Sequence, residues 1–336
     1  MKIALVTTTI NRADVLAVYR QLGPEIMFFV TGDRKTPDEE VVALLEGGPH
    51  AYYGIDYQHK LGYKCSRLLG ENNDSRRNIA LLEALKWGAE IIVSIDDDMI
   101  PFDGFFEQIE YRFSGPFAGL QIGEPGKWVD AGQFTTPPAP QRGLPLDVAP
   151  SNTVSSIANA DIGILQGGIF GVPDTDAWTA EARKPFITGA SGILNAGFVA
   201  HPQAHAVFNS QFTAFRRELA PGFAQFYPWQ KRNTDIFASL IMRRVARERD
   251  LHTFYGPPFG FHNRKPRDLM KDMQAEEWGV QLVQFLADAL NKWEAAPRRR
   301  VVDMTRDIYE DVGAKIMHPD NIACAHAFLD DCEQVL

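Results

Sequence analysis

The chain has 336 residues, 45% of them hydrophobic, enough apolar material for a substantial core. Its net charge of −9 disfavours broad sequence-independent binding to nucleic acid, which needs a basic surface to release counterions. Three cysteines, Cys65, Cys324 and Cys332, are too few and too irregularly spaced for a disulfide framework or a zinc site, and they point to a reducing compartment.

The opening Met1-Lys2-Ile3-Ala4-Leu5-Val6 reads as a strand and lacks a signal-peptide layout. No apolar run reaches the roughly eighteen residues of a membrane span. A soluble, cytoplasmic protein is expected. Residues 2–9 form a buried strand ending in Thr7-Thr8-Thr9-Ile10-Asn11-Arg12, followed by a short helix around Asp14 to Gln21. A second strand, Ile26-Met27-Phe28-Phe29-Val30, stops at Thr31-Gly32-Asp33. Thr36-Pro37-Asp38-Glu39-Glu40 has a capping hydroxyl, proline at the first helical position and acids in the first turn. Gly47-Gly48 ends that helix. Another helix starts near Asp74-Ser75 and places Ile79, Leu82 and Leu85 on one face.

That helix feeds the apolar run Glu90-Ile91-Ile92-Val93-Ser94-Ile95, which ends at Asp96-Asp97-Asp98. Three adjacent like charges repel, and a buried strand rarely ends in them unless a cation or ligand occupies that point. Oxygen ligands on a rigid strand end, with room for water and phosphate, suit Mg²⁺ or Mn²⁺ bound to a diphosphate. Strands alternating with helices predict an α/β fold, a mainly parallel sheet with a ligand crevice at its carboxyl strand ends. The segments Thr7 to Arg12, Gly32-Asp33 and Asp96 to Asp98 all fall at such ends.

Residues 115–150 are rich in Gly, Pro and Gln and read as a long mobile loop of the kind that covers a bound donor. Residues 161–200 return to short β-like runs whose glycines, Gly167, Gly168 and Gly192 among them, let another molecule approach the backbone or make tight turns at sheet edges. A helix runs from Asp235 through Arg243-Arg244, and residues 255–264 read as turns. An amphipathic helix from Asp268 to Trp293 and two more near 302–316 and 319–334 complete the chain, with Arg298-Arg299-Arg300 as a solvated linker. The expected division is a nucleotide-binding and catalytic domain over 1–265 and a helical extension over 266–336.

The order of these motifs resembles a nucleotide-sugar glycosyltransferase of the GT-A (Rossmann-like) architecture, and within that class the reversibly glycosylated polypeptides, also called UDP-arabinopyranose mutases. The resemblance covers roughly residues 1–290. It rests on Thr8-Thr9-Ile10-Asn11-Arg12, Val30-Thr31-Gly32-Asp33, Leu61-Gly62-Tyr63-Lys64-Cys65-Ser66, Asp74-Ser75-Arg76-Arg77-Asn78 and Ile95-Asp96-Asp97-Asp98. Ser191-Gly192-Ile193-Leu194-Asn195-Ala196, Asn233-Thr234-Asp235-Ile236 and Asn263-Arg264, paired with the helix holding Glu277-Trp278, follow in family order. Only the aspartate triplet is specific alone.

The resemblance implies that Thr8, Thr9, Asn11, Arg12 and Asp33 hold the uracil and ribose of a UDP-sugar, while Arg77, Asp96, Asp97 and Arg264 meet the rest of the donor. Asp98, with Asp96 and His262, would bind a Mn²⁺ or Mg²⁺ ion bridging the phosphates. Gly167, Gly168 and Gly192 would face the acceptor. Asp235 falls where inverting members place a base that takes a proton from the acceptor hydroxyl, although it can equally cap the helix through Leu240. Arg77 is the second catalytic candidate. The arginine associated with mutase activity has no counterpart in residues 153–163, and Arg142 lies too far upstream to align. Transfer to a separate acceptor (glycan, protein, small molecule or modified nucleobase) is therefore expected ahead of ring isomerisation or a non-catalytic nucleotide-sugar-binding subunit. Exposed apolar positions on the C-terminal helices would serve a homo-oligomer interface.

Overall fold

The apolar run Ile3–Thr9 is buried along its whole length and forms the strand β1, around which the site is built. Its side chains alternate between two cores: Ala4 and Val6 face one, Ile3 and Leu5 the other, as the two-residue period of a strand requires. The computed structural model describes residues 1–151, 153–264, 266–297 and 299–336. Three strands parallel to one another follow in the chain: β2 (Met27–Gly32), β3 (His50–Tyr53) and β4 (Ile91–Ser94). Their spatial order is β3-β2-β1-β4. Winding therefore reverses between β1 and β4, and a crevice opens at the carboxyl ends of those two strands.

The later strands are β5 (Met99–Pro101), β6 (Phe117–Ile122), β7 (Trp128–Val129), β8 (Thr135–Thr136), β9 (Val154–Ala160), β10 (Ile162–Gly171), β11 (Gly189–Ala190), β12 (Phe198–Ala200), β13 (His205–Ala206), β14 (Thr213–Arg216) and β15 (His252–His262). Among the described residues the main sheet has 11 strands in the order β3-β2-β1-β4-β14-β10-β15-β12-β6-β9, with β5 joined to β15. β14 is antiparallel to both neighbours, β4 and β10, and marks the boundary of the parallel block.

Helices cover both faces. Val15–Leu22, Asp38–Leu45 and Phe105–Phe113 bury Leu16, Val41, Phe105 and Ile109 against one face. Arg77–Trp87, Thr234–Arg247 and Leu269–Lys292 bury Leu82, Ile241 and Leu286 on the other. The last two helices, Val301–Asp311 and Pro319–Val335, place Ile308, Phe328, Cys324 and Cys332 in that same core. Each such side chain contributes roughly 1.5–3 kcal/mol relative to exposure. Among the described residues no helix is long and apolar enough to cross a membrane.

Three local expectations are corrected. Residues 115–150 are not simply a covering loop: β6 lies within the main sheet, and Asp130 ties the following turn by accepting from Gly132 N at 2.8 Å and Gln141 N at 3.1 Å. Residues 255–264 are mostly strand, because β10 takes up the Pro257-Pro258 pair through register shifts at Gln166/Gly168 and Gly168/Ile169. Thr36 does not cap its helix; its hydroxyl donates to Thr9 O and accepts from Asp33 N, each at 2.6 Å, and so joins the ends of β1 and β2. In the basic run, Arg298 lies outside the described residues, and Arg299 and Arg300 are engaged with Asp307, Asp303 and Glu333.

Gly279 lets the long helix Leu269–Lys292 seat against the start of Thr234–Arg247, since a Cβ there would lie 2.0 Å from Asn233 Cγ. Alanine usually stabilises a helix interior by up to about 1 kcal/mol over glycine. Here Gly279→Ala should lower unfolding free energy by about 2 kcal/mol, measured by urea denaturation, because the overlap with Asn233 outweighs helix propensity.

Candidate active site

The crevice holds a cavity of about 440 Å³ between the ends of β1 and β4, the segment just before β14 and the first turns of the two long helices. β1 delivers Thr8 and Thr9. β4 runs directly into the aspartate trio, and the strand geometry spreads the three carboxylates apart. Asp97 turns back to Thr9 Oγ1 and to Asn11 Nδ2 at 3.0 Å. Burial raises its pKa, and those two donors only partly offset the effect. Asp96 accepts from Arg77 Nη2 at 2.5 Å and Ser210 Oγ at 3.1 Å. Burial would raise its pKa, but the Arg77 guanidinium more than compensates and the net shift is downward. Asp98 places its Oδ2 3.2 Å from Nε2 of His262, the last residue of β15.

Among the described residues no group of three or more His, Cys, Asp or Glu side chains is placed to hold a metal. The ligand set expected from sequence is reduced, because Asp96 is committed to Arg77, leaving Asp98 and His262. Those two fit an ion nonetheless: the carboxylate oxygen and imidazole nitrogen face one another, and His262 is buried with Nδ1 lacking a partner. Two protein ligands leave coordination positions for phosphate oxygens and water, and an imidazole ligand suits Mn²⁺ better than Mg²⁺.

Across the cavity a buried guanidinium, Arg142, is shared by two carboxylates. Its Nη2 lies 2.9 Å from Asp174 Oδ2 and 2.8 Å from Asp235 Oδ2, and Nη1 donates to Arg232 O. Its backbone N–H donates to Asp174 O at 2.8 Å. Asp174 also receives Arg264 Nη2 and Asn209 Nδ2, each at 3.3 Å. Burial opposes ionisation of Asp174, yet Arg142, Arg264 and Arg232 together hold its pKa far below the usual carboxylate range. Asp235 sits in the first turn of Thr234–Arg247, one residue past Thr234, so the N-cap position belongs to Asn233 and the expected capping role does not hold in that form. Asp235 Oδ1 accepts instead from Ile236 N at 3.0 Å.

The cavity thus brings together Thr8, Thr9, Asn11, Arg77, Asp96, Asp97, Asp98, Asp235 and Arg264, with His262 behind Asp98. Arg12 is not among the lining residues; its side chain is 57% exposed and pairs with Asp14 and Glu40. Asp33 lies behind the wall, accepting from Asn73 N at 3.2 Å, while Asn73 itself lines the cavity. Gly167 and Gly168 line a smaller cavity of about 60 Å³ that shares Asp174 with the first. A Cβ at Gly167 would strike the Phe259 ring and one at Gly168 the backbone of β15, so packing within the protein accounts for both glycines. Gly192 faces open space and is outside that lining.

Arg142, Asp174, Arg232, Ser210, Tyr227 and Lys271 also line the large cavity and carry no signal in sequence. They come from separate segments and meet only when the sheet closes.

No family model matches the chain, and no curated protein matches it. Its fold is similar to glucosyl-3-phosphoglycerate synthase from Mycobacterium tuberculosis solved with Mn²⁺ and UDP-glucose, at 14% identity and TM-score 0.42 over 84% of this chain and 78% of that one. TarS 1-349 of S. aureus, solved with UDP-GlcNAc, is similar over 100% of this chain and 90% of that one, at 10% identity and TM-score 0.42. At such distance the overlays assign neither residues nor a reaction.

Replacing Arg142 with Met leaves two buried carboxylates without their shared cation and should cost about 3–5 kcal/mol at neutral pH. Because Asp174 is held ionised below its unfolded value, its pairing stabilises the fold above roughly pH 4 and that contribution is lost as pH falls. Denaturant titrations should show the gap between wild type and Arg142→Met narrowing on acidification.

Proposed function

We propose that this chain is a metal-dependent glycosyltransferase that passes a sugar from a nucleotide sugar, of the UDP class, to a separate acceptor. The observation that carries the reading is the charge of the cavity: seven aspartates line it against four arginines and one lysine. A diphosphate entering that excess of negative charge needs a compensating cation, and Asp98, on the cavity wall with His262 behind it, is the pair to hold one. A divalent ion bound there offsets the charge that builds on the departing nucleoside diphosphate.

The protein's own groups supply the remainder. Arg264 and Lys271 stand on the cavity wall, where a phosphate chain would lie. Arg77, clamped between Asp96 and Ile95 O at 3.1 Å, fixes Asp96 against the donor. Asp235 is the base of this reading: it takes the acceptor hydroxyl proton as that oxygen bonds to the anomeric carbon and the nucleoside diphosphate leaves. Arg142 orients its carboxylate. Asp174 is a poor base, since Arg142, Arg264 and Arg232 hold its pKa far below the usual carboxylate range. Arg142 does not restore mutase chemistry, because its guanidinium is committed to Asp174 and Asp235.

Calorimetry with Mn²⁺ and UDP-glucose, UDP-N-acetylglucosamine and UDP-arabinopyranose tests the donor reading, and absence of heat for all three would defeat it. Asp98→Ala should weaken Mn²⁺-dependent binding by at least 10–100-fold, the loss typical even of groups that merely support metal ligands. Asp235→Asn should reduce kcat by about 10²–10⁴-fold while donor affinity stays within a few-fold of wild type. Equal losses in kcat and donor affinity would assign Asp235 to structure and not to proton transfer.

A further inference from the structure

Six of the seven lining aspartates have a cation, an imidazole or two hydrogen-bond donors at hand. Asp96 has Arg77; Asp97 has Thr9 and Asn11; Asp98 has His262; Asp174 and Asp235 share Arg142; Asp272 lies 3.1 Å from Arg267. Asp74 is the exception. Its Oδ2 accepts only from Thr234 Oγ1, at 3.3 Å, and its Oδ1 is closed off from solvent with no partner. Beside it Arg77, which also lines the cavity, leaves its Nε without a partner on a residue that is 4% exposed. Asp74 and Arg77 flank the start of helix Arg77–Trp87, and Arg77 Nη1 donates to Gln225 Oε1 at 3.4 Å. Buried polar atoms left without partners are uncommon, and an N–H group beside a carboxyl suits an oxygen-rich ligand.

We propose that Asp74 is a further donor-binding residue, working as an uncharged carboxylic acid that donates its proton to a diphosphate oxygen of the nucleotide sugar. This rests on the donor reading above. The groups facing Asp74 support the uncharged form. Arg77 follows on its own segment, Asp96 comes from the loop after β4, Asp235 and Thr234 from helix Thr234–Arg247, and Tyr227 from the turn before it; Arg232 and Asp272 face Tyr227 from beyond. Burial is the largest influence and raises the pKa, Arg77 lowers it, and Asp235 and Asp96 raise it again, leaving Asp74 at about 7. Ionised, it would set a further negative charge against the phosphates; protonated, it adds a donor beside the Arg77 guanidinium. Donor affinity should then decline as pH rises past neutrality, because the binding form of Asp74 is the one being lost.

The test is calorimetric affinity for UDP-glucose, whose phosphates do not titrate near neutrality, with saturating Mn²⁺ between about pH 6 and 8.5. Wild type should lose close to tenfold in affinity per pH unit above neutrality. Asp74→Asn, which keeps an uncharged N–H donor, should bind with an affinity that is flat across the range, and Asp74→Ala should be flat and weaker by about 10-fold. A flat wild-type profile, or an Asp74→Asn variant that keeps the wild-type decline, would overturn the assignment while leaving the donor site intact. Absence of UDP-glucose binding at every pH in all three proteins, whose folding is checked by thermal denaturation, would overturn the donor reading and this step together.

Discussion

Seven carboxyl groups gathered around one cavity carry a repulsion and desolvation cost that the surrounding chain must offset. The offset is spatially divided. On one wall Arg77 neutralises Asp96 and Thr9 and Asn11 satisfy Asp97; on the other Arg142 serves Asp174 and Asp235 together. Asp98 is left with only an imidazole near it. Charge that is not balanced from within invites charge from outside, and the proposed metal and diphosphate binding draws on this arrangement as well as on the aspartate trio.

The position of Arg142 explains how the long segment between β6 and β9 contributes. Its guanidinium joins that segment to the loop after β10 through Asp174 and to helix Thr234–Arg247 through Asp235. Three stretches far apart in sequence are thereby locked to one planar group, whose fork geometry fixes both carboxylates in direction as well as place. The proposed base, Asp235, would keep its aim toward a reacting hydroxyl when held in this way. A flexible carboxylate on a helix terminus would have to be ordered anew at each turnover.

The C-terminal helices belong to the same device. Helix Leu269–Lys292 supplies Lys271, Asp272 and Ala275 to the cavity wall, and its Glu276 accepts from Arg232 Nε at 2.7 Å and from Ala177 N at 2.7 Å. Gly279 allows the close approach that makes these contacts reachable. The helix therefore sets the width of the cavity as well as covering the sheet, and the two helices after it hold it in place through the core they share.

The sequence alone determined the strand ends. Continuous apolar runs at 3–9 and 91–94 can be buried only as central strands, and the polar segments directly after them must then emerge at one edge of the sheet. The helices at 234–247 and 269–292 were legible for a similar reason, since their 3.6-residue apolar period is a local property. Local sequence misjudged β15, where Pro257 and Pro258 read as turns, because the bulged register that accommodates them is a property of the neighbouring strand. It also placed Arg12 in the site, though a residue just beyond a strand end can point away, as the contacts with Asp14 and Glu40 show. The partnership of Arg142 with Asp174 and Asp235, the diversion of Asp96 to Arg77 and the isolation of Asp74 were decided only by tertiary structure. Each depends on which distant side chains share a low-dielectric space, and no periodicity or spacing along the chain encodes that.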